Sequence, residues 1–247
     1  MDAVDVQKEL RRAASAEKAR ILSGFFKTGK GQYGEGDRFL GVVVPEQRRI
    51  ARMFLPAKET PSCRAALAEI RTLLAGSYHE ERLTALLILV ELYKRSGGQD
   101  RERIFTFYLK NLARINNWDL VDLSAPNIVG AHLLDKDPAL LFTLAESDHL
   151  WTRRVAVLAS FTFVRAGRFD VTLSLAERLL VEKKDPHGLM HKAVGWMLRE
   201  TGKRDRRVLE EFLDRHAPEL PRTALRYAIE RFSEADRRRY LGAVRNR

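Results

Sequence analysis

Apolar residues recur at three- and four-residue intervals along almost the whole chain, the spacing of helices that bury one face. Stripes of this kind run over 2–13, 16–28, 45–54, 62–75, 80–95, 101–113, 117–134, 138–147, 151–166, 170–182, 188–202, 205–215, 221–232 and 234–244. Short breaks divide them, among them Ser96-Gly97-Gly98, Asp135-Lys136-Asp137-Pro138, Ala166-Gly167-Arg168 and Lys184-Asp185-Pro186. No segment alternates in the manner of a half-buried strand. The one β-like run, Gly41-Val42-Val43-Val44, ends at Pro45 and reads as an extended lead into the helix that Pro45 starts. The pattern predicts an all-α protein.

Every second helix resembles the others. Thr84-Ala85-Leu86, Asp119-Leu120-Val121, Arg154-Val155-Ala156 and Lys192-Ala193-Val194 begin 35, 35 and 38 residues apart, and Thr223-Ala224-Leu225 follows after 31. A helix-pair repeat of about this length is what HEAT-type solenoids show, although their usual period is slightly longer. The expectation is one domain over 1–247, a right-handed superhelix of about six helix pairs with a concave basic face. Asp119 or Asp122, Arg154 and Lys192 should then lie in a row along it. Such a row suits an elongated partner better than a small molecule.

Composition narrows the class. With 45% hydrophobic and 31% charged residues, 247 residues are ample for a buried core. The longest unbroken apolar run, Ala85 to Val90, is far too short to span a membrane, and Met1 to Arg12 has no signal-peptide core. One cysteine, Cys63, excludes an internal disulfide and any multi-cysteine zinc site, and is expected to be buried and inert. A reduced, cytoplasmic, nucleoid-associated monomer is expected. The net charge is +11 but uneven: +5 over 1–99, −3 over 100–150, +4 over 151–198 and +5 over 199–247. Basic flanks of this kind can hold phosphates while the acidic island presents a carboxylate, although high charge also serves solubility alone.

Two stretches concentrate the candidate chemistry. Asn116-Asn117-Trp118-Asp119-Leu120-Val121-Asp122 places an aspartate four residues after a tryptophan, and His191 to Glu200 places Arg199 three after Trp196. Each pair shares a helix face. Taken alone, Asp122 reads as an exposed residue beside a core aromatic, Trp196 as buried, and Lys192 and Arg199 as solvated charges. Asp119 reads as a first-turn residue after an Asn116 or Asn117 cap, and Trp151 as a packing residue at a helix start. The loop Gly29 to Gly36 offers a superficial GxGxxG, but no strand precedes it, so a mobile loop is expected, whose Lys30 and amides could touch a phosphate. His187 and His191 have a metal-compatible spacing but no HExxH pattern, so no metal is expected.

Together the motifs resemble the AlkD-type DNA alkylation-repair glycosylases, a family of HEAT-like repeats. The resemblance covers roughly Phe25 to Tyr227. It is carried by Phe39-Leu40-Gly41 with Pro45-Glu46-Gln47-Arg48, by Trp118 to Asp122, by Trp151-Thr152-Arg153-Arg154, and by Lys192-Ala193-Val194-Gly195-Trp196 with Arg199-Glu200. It implies Asp122 as the catalytic carboxylate, Trp118 and Trp196 as the cleft tryptophans, and Arg154 and Arg199 as DNA contacts, with Lys192 beside them. It also implies double-stranded DNA carrying alkylated bases as substrate, no cofactor, and excision of cationic N3- and N7-alkylpurines without base flipping. Two departures stand out: Phe25 occupies the place of a family tyrosine in the second helix, and the glycine-rich loop is longer. The alternatives are a non-catalytic HEAT-repeat protein that binds bent, damaged or branched DNA, and a protein-interaction scaffold.

Overall fold

The structure, a computed structural model, describes residues 1–55 and 62–243. Among the described residues every regular element is helical, and the only β feature is an isolated bridge between Arg38 and Tyr78. The chain forms two compact units, Met1–Ile128 and Val129–Arg247. Their boundary falls within a π-helical turn, Pro126–Gly130, rather than in a linker rich in Pro, Gly or Ser.

The first unit contains α1 (Ala3–Arg12), α2 (Ala16–Phe25), α3 (Val44–Phe54), α4 (Cys63–Leu74), α5 (His79–Arg95), α6 (Gly98–Lys110), a 3₁₀ turn at Leu112–Arg114, and α7 (Trp118–Ala125). Helix α5 is the hub and packs against α1, α3, α4, α6 and α7. Leu83 to Val90 are buried on all sides of it, which is why its sequence lacks a polar stripe. The long apolar run is therefore core. Helix α2 is the opposite case, with no buried residue and with Ile21 and Phe25 63% and 60% exposed.

The second unit contains α8 (Ala131–Leu133), α9 (Ala139–Ala145), α10 (Leu150–Ala159), α11 (Phe161–Arg165), α12 (Asp170–Ala176), a π-helical stretch Glu177–Glu182, α13 (Gly188–Arg204), α14 (Arg206–His216), α15 (Arg222–Ala228) and α16 (Glu234–Ala243). Here α13 is the hub, against α10, α11, α12, α14 and α15. Gly195 permits its close approach to α15: a Cβ there would lie 2.5 Å from the Ala224 carbonyl oxygen and 2.6 Å from Tyr227 Cβ.

Most expected helices form within four residues of their expected ends; the last residue of the 234–244 stripe lies outside the described residues. Three long stripes are interrupted. The 117–134 stripe ends as α7 at Pro126, which has no amide to continue the ladder, and the chain widens into the π turn. The 151–166 stripe breaks at Ser160, whose hydroxyl donates to the Val157 carbonyl at 2.7 Å. The 170–182 stripe widens from Glu177 onward. Periodicity survives these shifts because the apolar face continues through them. Pro45 sits in the first turn of α3 after the extended Val43, as its fixed φ favours. Among the described residues, no helix is long and apolar enough to cross a membrane.

Candidate nucleic-acid interface

The footing of α7 is a buried polar clasp. His79, the first residue of α5, faces two carboxylates: Nδ1 lies 3.1 Å from Asp37 Oδ2, and Nε2 lies 2.8 Å from Asp119 Oδ2. Arg82 and Asn117 both donate to Asp37, Asn117 at 3.1 Å. Asn117 is the N-cap of α7, and its Oδ1 accepts from the Trp118 amide at 2.9 Å. Burial alone would lower the His79 pKa, but the charges and hydrogen bonds of Asp119 and Asp37 outweigh it and raise the value to about 9. Burial likewise pushes the Asp37 pKa up, and His79, Arg82 and Asn117 bring it below the usual carboxylate range. A protonated imidazole thus ties the loop at Asp37 and the start of α5 to the first turn of α7. Asp119 has the structural role expected of it.

Aromatic stacking completes this footing. Trp118 stacks on Phe26 with centroids 5.0 Å apart and planes 11° apart; Phe26 in turn stacks on Phe39 at 5.0 Å. Phe39 and Phe26 also cover the His79 ring, at 4.7 and 4.9 Å. One face of the indole is therefore fixed by packing, while Trp118 as a whole stays half-buried. The exposed Phe25 meets it edge-on at 5.8 Å and 77°. Asp122 lies one turn further along α7 and is half-buried. Burial pushes the Tyr108 phenol well above its ordinary pKa, and the nearby Asp122 carboxylate adds to that rise. Tyr108 is held by Ser124, hydroxyl to hydroxyl at 2.9 Å.

The motifs before α3 prove to be scaffolding. Glu80 accepts from the backbone amides of Leu40, Gly41 and Val42 at 3.0, 2.8 and 3.2 Å, fixing the extended lead. Gly41 has φ +85° and packs against the Ser15 carbonyl, where no side chain fits. Gln47 donates to the Val42 carbonyl at 2.7 Å. The glycine-rich loop uses its own amides: Gly29 donates to Gln32 Oε1 at 3.0 Å and Gly31 to Glu35 Oε2 at 2.8 Å. Those two amides therefore have partners within the loop itself.

In the second unit the organising residue is Glu200, buried on α13. Its Oε1 accepts from Trp196 Nε1 at 3.3 Å, and its carboxylate lies 3.0 Å from Lys203 and 3.8 Å from Arg199. Arg199 also pairs with Glu230. Trp196 is half-buried, its ring tilted against Phe161 at 5.9 Å. Lys192, one turn earlier, is exposed. Arg154 is placed differently from a solvated phosphate ligand: it is 5% exposed and its Nη1 donates to the Leu189 carbonyl at 2.8 Å. Arg153 is tied to Asp185 at 2.6 Å and to the Ser147 and Asp148 carbonyls. Trp151 is buried at the start of α10, as expected.

The equivalent repeat positions thus sit at different depths, with Asp119 and Arg154 buried, Asp122 half-buried and Lys192 exposed. The structure joins Trp118 and Asp122 on one helix of the first unit, and Lys192, Trp196 and Arg199 on one helix of the second. His187 caps α13 by accepting from the Leu189 amide, and His191 Nε2 lies 2.6 Å from the Asp185 carbonyl oxygen. Cys63 is buried, and burial pushes its thiol pKa up. Sequence reasoning missed His79, Asp37 and Glu200 as organisers. One signal was available: His79-Glu80-Glu81-Arg82 leads directly into Leu83 to Val90, a run that is apolar except for Thr84, so these polar groups adjoin the core and need partners there.

No curated protein matches the chain. Among solved structures it is similar to a protein from Enterococcus faecalis described as a predicted DNA alkylation repair enzyme, with 18% identity, TM-score 0.70, and 90% of this chain and 97% of that one covered. At that identity the likeness shows the shared fold. The family profile described as DNA alkylation repair enzyme matches residues 6–232. The chain therefore belongs to the DNA alkylation repair enzyme family.

Proposed function

We propose that the protein is a monofunctional DNA glycosylase that hydrolyses the N-glycosidic bond of cationic N3- and N7-alkylpurines in double-stranded DNA. HEAT-like repeats belong to this reading and are supported by the recurrence near 35 residues. The observation that carries it is a half-buried carboxylate, Asp122, one turn from a half-buried indole, Trp118, whose other face is fixed by stacking.

An alkylated purine already bears positive charge, so it departs without a general acid. The C1′–N bond breaks, the electron pair leaves with the base and neutralises it, and positive charge develops on the sugar. An anion beside C1′ stabilises that charge, as in glycoside hydrolysis. Asp122 fills this role and accepts a proton from the water whose oxygen bonds to C1′. Trp118 presents a ring face to the deoxyribose and excludes water, and on the second unit Trp196 presents its own ring to the DNA backbone. Lys192 and Arg199 neutralise phosphates. Arg154, being buried, contributes by holding the α13 backbone at Leu189 in addition to any phosphate contact. Selectivity derives from the lability of the lesion, so the base need not leave the stack, and the product is an abasic site. No metal or organic cofactor enters this scheme.

The test is release of 7-methylguanine and 3-methyladenine from methylated duplex DNA. Wild-type protein is expected to release both, and Asp122→Asn to keep DNA binding while losing most release. Release by the variant at the wild-type rate would remove Asp122 from the chemistry. Tight binding without release by the wild type would instead favour the non-catalytic DNA-binding reading.

A further inference from the structure

The outer helices of the first unit, α4 and α6, take no part in that reading. They pack side by side and enclose a groove of about 520 Å³. Its floor is apolar, with Leu67 from α4 and Phe107 from α6, and its rims carry Arg64, Arg71, Arg103 and Lys110. The spacing is helical on both sides, at 64, 67 and 71 on α4 and at 103, 107 and 110 on α6, so each helix contributes one continuous face. Glu102 is the only acidic residue in the lining. Among the described residues Arg64, Arg71 and Lys110 form no ion pair, whereas Arg103 pairs with Asp100 at 2.7 Å. The Arg71 guanidinium lies over the Phe107 ring, 5.7 Å from its centroid, which spreads cationic charge along the apolar floor.

We propose that this groove is a docking site for an acidic, partly apolar peptide segment of a partner protein. Carboxylates of the segment would pair with the rims while an aliphatic or aromatic side chain enters the floor. A nucleic-acid backbone fits less well, because phosphates spanning the rims would leave the Leu67 and Phe107 surface without use. Helix α4 spans roughly 18 Å, the length of about five or six extended residues. Arg64, Arg71 and Lys110 supply the charge complementarity, and steering by them accelerates encounter more than it tightens binding.

The experiment is fluorescence anisotropy on the full chain with a fluorescein-labelled peptide of about six residues, acidic apart from one leucine and one phenylalanine. Saturable binding is expected, weakened by salt, and reduced about tenfold by exchanging the peptide's acids for amides. A comparable loss is expected for the Arg71→Gln/Lys110→Gln variant, whose far-UV circular dichroism should match wild type. Oligoglutamate of the same length should bind more weakly, since it leaves the floor empty. Equal binding of oligoglutamate, an unaffected double variant, or no binding would each overturn the proposal. Displacement of the peptide by a single-stranded oligonucleotide that itself loses affinity for the double variant would reassign the groove to nucleic acid.

Discussion

Replacing His79 by glutamine removes the cation shared by Asp37 and Asp119, and the cost follows from the structure. Raising the imidazolium pKa from 6.5 to about 9 corresponds to ~3 kcal/mol in favour of the protonated folded state. The group is almost fully buried, so solvent screening removes little of this. Because the folded pKa lies above the unfolded one, the contribution is complete below about pH 6.5 and is lost as pH rises through about 9. At a specific unfolding entropy of about 2.1 cal/mol/K per residue, ~3 kcal/mol is about 6 °C in Tm for a chain this long. The assay is thermal unfolding of wild type and His79→Gln between pH 6 and 10. The wild-type Tm should fall about 6 °C further than the variant's over that interval. In the variant Asp119 becomes a buried carboxylate without its cation, so adding Asp119→Asn should restore part of the lost stability. Parallel pH curves for the two proteins would refute the charged clasp and leave His79 as a neutral packing residue.

The remaining predictions concern the proposed site and the residues that support it. Gly195→Ala places a methyl 2.5 Å from the Ala224 carbonyl oxygen and should destabilise by about 1–3 kcal/mol, read by urea unfolding. Glu200→Gln weakens the anchor of Trp196 and Arg199 and should lower affinity for duplex DNA with little loss of helix content, measured by anisotropy and circular dichroism together. Lys192→Ala should reduce the salt dependence of DNA binding by about one unit of log–log slope, whereas Arg154→Ala should also lower Tm because it removes a buried side chain and its hydrogen bond to the Leu189 carbonyl. Phe25→Ala exposes the edge of Trp118 and should shift tryptophan emission to longer wavelength; an unchanged spectrum would count against the observed ring contact.

Periodicity alone determined that this chain is helical, and nearly where each helix lies, because an apolar stripe must face a core whatever its neighbours are. Local chemistry was equally legible where it acts over a few residues: an asparagine cap at 116 or 117, which the structure assigns to Asn117, Pro45 at a helix start, and Trp151 as a packing residue at a helix start. The candidate pair of Trp118 and Asp122 was legible for the same reason, since four residues fix a shared face. Depth was decided by tertiary structure. Arg154, which the repeat placed in a row with Lys192, is buried against Leu189, because depth depends on which helix packs beside it. The clasp of Asp37, His79 and Asp119 joins residues 40 or more positions apart, and no local pattern encodes such a meeting. The raised pKa of His79, and the fixed ring beneath Trp118, arise only when packing excludes water and brings these groups together.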